Sequence, residues 1–250
     1  MRIDEERVRA SVDRLHSADL RSGELEASLR EVIAATQEIF GADGAGLMLL
    51  DDQDALHYVG ATDGRSAAFE AAQEECGEGP CVDSLVHDQV VASTDLEADD
   101  RWPKLQLSLG GLGIRAMLGV PIHLGGPTVG SLNVFRAEPS PWDDSEIAAI
   151  SAHGRVLEEL LGAAVLARQR HTIVAQLTEA LENRVTIERA VGVLMASKSL
   201  DPTSAFNQLR QAARSSRRRV KDVAAEVLAE PAFAPPEPPP ADDPDARGPS

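Results

Sequence analysis

Aromatic residues are scarce, at two Trp, one Tyr and five Phe in 250 residues. None of the Trp or Tyr falls in the stretch 184–228, which leaves that stretch without an aromatic platform for stacking bases. Cysteine is rarer still. Cys76 and Cys81 are too few for a disulfide framework, and a reducing cytoplasm is the expected setting. No apolar run approaches the ~20 residues that a membrane-spanning helix needs. The opening MRIDEERVRASVDRL has no apolar core of the kind a signal peptide carries. Basic residues are outnumbered, 24 Lys and Arg against 41 Asp and Glu, for a formal charge of -17. That balance excludes a protein that coats a polyanion with its whole surface. The six histidines are scattered without metal-ligand spacing. The glycines of GEGP (77–80) are not followed by the Lys and Ser/Thr of a phosphate loop, and no nucleophile–base pair stands out. A catalyst is not expected.

What is present is uneven. Between residues 168 and 221, eleven Lys and Arg face four carboxylates, a local balance of +7 inside an acidic chain. The same region carries apolar residues at helical spacing. Ile187, Ala190, Val191, Leu194 and Met195 form one stripe; Ala205, Phe206, Leu209 and Ala213 form a second; Val220, Val223, Ala224, Val227 and Leu228 form a third. Each is too short to be stable alone, so the three predict a minimal helical bundle. Asp201–Pro202 is a start signal for its second helix, and Ser215 or Ser216 for its third. Gly192 is expected in tight helix packing. Arg184, Arg189, Arg210, Arg214, Arg217, Arg218, Arg219 and Lys221 lie beside and between the stripes. Guanidinium groups fork onto phosphates and base edges, so these eight are the candidate nucleic-acid residues.

This segment resembles an ANTAR domain, the RNA-binding antitermination module of bacterial regulators. The matching run is Arg184, Ile187–Glu188, Ala190, Gly192, Leu194–Met195, Ala205–Phe206, Leu209–Arg210, Ala213–Arg214, Arg218, Val220 and Asp222–Ala224. Val191 stands where the family often has lysine, and Arg217 where it often has asparagine. The resemblance implies binding to stem-loop pairs in an mRNA leader.

Upstream, the periodicity changes. Leu25, Leu29, Val32, Ile33, Thr36, Ile39 and Phe40 give one face of a helix that Gly41 ends. Residues 46–51 and 55–63 read as a strand pair, 66–76 as a helix, 77–89 as a loop and 90–94 as a short strand. Residues 116–124 and 128–136 read as a hairpin, with Pro121 implying an edge or a bulge. This α+β pattern resembles a GAF domain over roughly 24–165, with GEGPC (77–81), GVPI (119–122) and VGSLNVF (129–135) as local signatures. The resemblance implies an antiparallel sheet with flanking helices and a sensed small-molecule or redox signal; it does not say which cofactor or ligand. Cys76, Cys81 and His87 are the candidate pocket or redox residues, with Cys81 expected as a small buried group.

From Ile147 to Leu181 the chain reads as one helix carrying a persistent apolar stripe, opened by Asp143 or Asp144 as N-cap, with Glu146 three residues past Asp143 in capping-box fashion. Such a rod suggests a parallel coiled coil, with Leu160, Ile173 and Leu177 against a second copy. The expected divisions are a helical extension over 1–22, a sensor domain over 23–165, an RNA-binding domain with its coiled-coil entry over 166–230, and a disordered acidic tail over 231–250. The leading expectation is a cytoplasmic, homodimeric, signal-responsive regulator that binds RNA. The alternatives are a regulator of duplex DNA and a dimeric ligand- or redox-sensing interaction protein that binds no nucleic acid.

Overall fold

The computed structural model describes residues 3–17, 24–51, 56–166 and 172–229. The expected acidic tail over 231–250 lies outside the described residues.

The chain opens with α1 (Glu5–Ser17) and α2 (Leu25–Phe40). Gly41 closes α2 in the left-handed region at φ 53°, returning its N–H to the Gln37 and Glu38 carbonyls. Then come β1 (Gly44–Leu50), β2 (Leu56–Ala61) and α3 (Gly64–Cys76), the helix being capped by Asp63, which accepts from the Ser66 N–H. The stretch 77–89, expected as a loop, contains a helix, α4 (Pro80–His87). Pro80 fixes φ for the first helical turn, so the glycines before it are the entry rather than the whole segment. β3 (Val91–Ser93), a 3-10 turn at Leu96–Ala98 and α5 (Pro103–Ser108) lead to β4 (Ala116–His123) and β5 (Thr128–Arg136).

The five strands form one antiparallel sheet in the order β2-β1-β5-β4-β3. β4 lies between β5 and β3, but β3 reaches only Met117 to Gly119, and the pairing of β4 with β5 slips register between Ile122 and His123, next to Pro121. Both faces of the sheet are covered, which explains why GAGLMLL in β1 is apolar throughout. Leu47, Leu49, Leu132 and Val134 point to α2 and the following helix α6 (Asp144–Leu166). Met48, Leu50 and Phe135 point the other way, among Phe69 of α3, Cys81 and Leu85 of α4 and Leu105 of α5. The capping box forms in both directions: Asp143 Oδ1 accepts from the Glu146 N–H at 3.1 Å, and Glu146 Oε2 accepts from the Asp143 N–H at 2.8 Å. α1 packs on α6 of its own chain, with Ser11 Oγ 3.1 Å from His153 Nε2.

Three helices complete the molecule: α7 (Thr172–Lys198), α8 (Pro202–Ser216) and α9 (Val220–Ala229). The stretch read as one rod is described in two parts, α6 and α7, which pack on one another, and residues 167–171 between them lie outside the described residues; α7 also contacts β1 and β5. Val174 and Leu177 join the core on the α6 side, while Ala180 and Ile187 join the core on the α4 side. The candidate dimer residues are therefore buried within one chain, Leu160 at 6% and Leu177 at 0% exposure, with Ile173 half-buried against the same cluster. A stripe covered by its own sheet has no surface left to offer a second copy through those leucines. Among the described residues no helix is long and apolar enough to cross a membrane.

Candidate nucleic-acid interface and sensor core

The C-terminal bundle follows from the three stripes. Ile187, Ala190, Leu194, Ala205, Phe206, Leu209, Ala213, Val220 and Ala224 are its buried residues. Asp201 caps α8 by accepting from the Ser204 N–H at 2.9 Å. Ser215 and Ser216 do not cap α9; they end α8 and donate to the Ala212 carbonyl. The turn is made by Arg217 at φ 53°, ψ 42°, whose N–H returns to the end of α8. Gly192 is not in tight packing: a Cβ there would meet nothing within 4 Å.

The eight candidate basic residues separate into three groups. Arg189 and Arg217 are exposed, with no side-chain partner among the described residues. Arg218 pairs with Glu226 at 2.7 Å, and Arg219 and Lys221 both pair with Glu179. Arg184, Arg210 and Arg214 meet the sensor domain. Arg184 donates from Nη2 to the Leu85 carbonyl at 3.3 Å and from Nε to Glu188 at 2.7 Å. Arg214 donates from Nη1 to the Glu75 carbonyl at 3.3 Å and from Nη2 to the Glu74 carbonyl at 3.1 Å. Arg210 is 4% exposed, its Nη2 has no hydrogen-bond partner among the described residues, and burial, aided by the charge of Arg214, lowers its pKa to about 10.

A buried polar node lies beneath α3 and α4. Glu70 Oε1 accepts from Asn133 Nδ2 at 2.8 Å, and its Oε2 accepts from Gln73 Nε2 at 3.3 Å and from the Cys81 thiol at 3.2 Å. Gln73 Oε1 accepts from the Cys81 N–H at 2.9 Å. This clamp accounts for the GEGPC signature. Gly77 caps α3 at φ 70°, and Gly79 at φ 143° passes where a Cβ would stand 2.3 Å from Gln73 Oε1. Burial pushes the Glu70 carboxyl up to about 7, against the hydrogen bonds from Cys81 and Asn133 that favour its charged form. The Cys81 thiol is pushed well above its ordinary value by burial and by the Glu70 charge. Cys76 is raised by burial, and its thiol donates to the Glu78 carbonyl at 3.2 Å.

The three candidate pocket residues thus turn to different partners. Cys81 belongs to the node, and Cys76 ends α3 with its thiol on the Glu78 carbonyl. Exposed His87 has its Nε2 3.0 Å from Thr203 Oγ1 of α8. Glu70, Gln73 and Asn133 were missed as a group by reading the sequence. The available signal was polar residues on buried faces: Gln73 shares a helix face with Phe69, and Ser131 and Asn133 share the strand face of Phe135.

A search of curated proteins finds no match. Solved structures with this fold include free methionine-R-sulfoxide reductase from Neisseria meningitidis, at 18% identity and TM-score 0.54 over 66% of this chain and 95% of that one. The GAF domain of a phosphoenolpyruvate-protein phosphotransferase from Acinetobacter superposes at 16% identity and TM-score 0.51 over 64% and 92%. Its counterpart from Coxiella burnetii superposes at 19% and 0.50 over 64% and 92%. At these identities the likeness is one of fold alone. The GAF domain family matches residues 24–161, and the ANTAR domain family matches residues 175–228. The chain belongs to the GAF family and joins that sensor domain to a C-terminal ANTAR domain, an RNA-binding antitermination module.

Proposed function

We propose that the chain is a signal-responsive antitermination regulator whose bundle binds paired hairpins in nascent mRNA, two copies of the chain to one transcript. The observation that supports this most is the turn from α8 to α9. Arg217 is exposed there without a partner among the described residues, and Arg218, Arg219 and Lys221 follow it on the same short segment. RNA loops display unstacked bases and phosphates that guanidinium groups reach without an aromatic platform. The sensed small molecule or redox signal acts through the buried node of Glu70, Gln73, Cys81 and Asn133. Both thiols are held protonated near neutral pH, which favours a ligand or conformational signal over rapid thiol oxidation.

Gel shifts with a paired-hairpin RNA, a single hairpin and a DNA duplex of matched charge test the reading. The paired hairpin is expected to bind tightest, with two chains per RNA by sedimentation. Arg189→Ala with Arg217→Ala should weaken binding and shallow the salt slope by about 0.9 per lost phosphate contact. Equal or tighter binding of the duplex would refute RNA recognition.

A further inference from the structure

The arginines that meet the sensor domain do so at two helix ends. A helix C-terminus leaves carbonyls without partners inside the helix and carries partial negative charge. Arg214 covers the Glu74 and Glu75 carbonyls in the last turn of α3, and Arg184 covers the Leu85 carbonyl near the end of α4. Between them α8 lies close on the sensor. Thr203 Oγ1 donates to Asp83 at 3.0 Å beside His87, and a Cβ on Gly77 would stand 3.0 Å from Asn207 Oδ1. We infer that the sensor domain holds the RNA-binding module closed: RNA phosphates and the ends of α3 and α4 compete for Arg184, Arg210 and Arg214. The inference rests on the RNA-binding reading of the bundle.

Two observations say why this contact is a switch and not a permanent joint. Arg210 is buried with an unfilled donor. The closed state therefore carries a loss that a phosphate oxygen, reached on opening, makes good. The acceptors of Arg214 also belong to the helix that builds the node. Glu74 follows Gln73 directly and stands one turn beyond Glu70, and both of those side chains are fixed by Cys81 or Asn133. A ligand or a charge change at the node that shifts α3 moves the arginine acceptors with it. Closed and open states then differ in differential contacts that a signal can bias.

Two full-length variants bracket the equilibrium. Thr203→Asp sets a carboxylate against Asp83 and opens the contact at about pH 8. Gly77→Cys with Asn207→Cys, in a Cys76→Ser background, locks it when oxidised, since Asn207 Cγ is 3.7 Å from the Gly77 Cβ position. The probe is RNA enriched from a random pool on the Thr203→Asp protein. The opened variant is expected to bind it roughly tenfold or more tighter than the oxidised lock, with wild type between and reduction restoring binding. A lock that binds as tightly as the opened variant overturns the inference and leaves RNA binding standing. A pool from which neither the opened variant nor wild type enriches RNA overturns the RNA-binding reading itself. A second readout needs no RNA. Phenylglyoxal should modify Arg184, Arg210 and Arg214 of wild type more slowly than Arg189 and Arg217, and equal rates overturn the closed contact.

Discussion

Arg217 holds the left-handed region at φ 53°, where a Cβ crowds the following carbonyl and only Gly, Asn or Asp sit comfortably. That gives a physical reason for the asparagine that the resemblance to the ANTAR family leads one to expect here. Arg217→Gly should raise stability by about 1 kcal/mol while weakening RNA binding, measured by urea melts and gel shifts. Gly192 gives the complementary test. Gly192→Ala should stabilise α7 by about 1 kcal/mol, because the added methyl meets open space. Glu70 predicts a pH effect. Its folded-state pKa of about 7 lies above its ordinary 4.5, so its contribution is fully present below pH 4.5 and is lost as pH rises through 7. Wild type should lose up to about 3 kcal/mol between roughly pH 4.5 and 8 that Glu70→Gln does not lose. Parallel pH profiles for the two proteins would rule out Glu70 as the titrating group.

At the scale of elements, the hairpin of β4 and β5 and the caps at Gly41, Asp143 and Asp201 were legible because each depends on neighbours in the chain. α4 was not, since GEGP reads as loop until Pro80 is recognised as the first residue of a helix. The candidate seam residues were misread for a different reason. Periodicity identifies a face but not what covers it, and the stripe through Leu160 and Leu177 is covered by the sheet and α2 of the same chain. Leu177→Asp should therefore lower stability by several kcal/mol, as a carboxylate is buried without a partner. A dissociated chain that kept its melting temperature would instead restore the dimer seam. Ile173→Asp should cost less, because that side chain is only half-buried.

For the whole molecule, the basic module was legible from charge alone, but its division was not. The sensor-domain acceptors of Arg184 and Arg214 lie about 100 residues or more upstream and are main-chain carbonyls, which composition cannot reveal. Coupling between sites is reciprocal in free energy, so RNA that opens the module should also loosen α3. Amide exchange in the last turn of α3 should rise on adding RNA, and an unchanged rate would show that the two are uncoupled. The neutrality of those acceptors has a further result. Counterions screen an arginine–phosphate contact strongly, yet they act little on an arginine held by peptide dipoles at close range. Ionic strength then weighs on one side of the competition only. In a cell whose salt content rises under osmotic stress, the molecule would withdraw from its transcript with no ligand bound or lost.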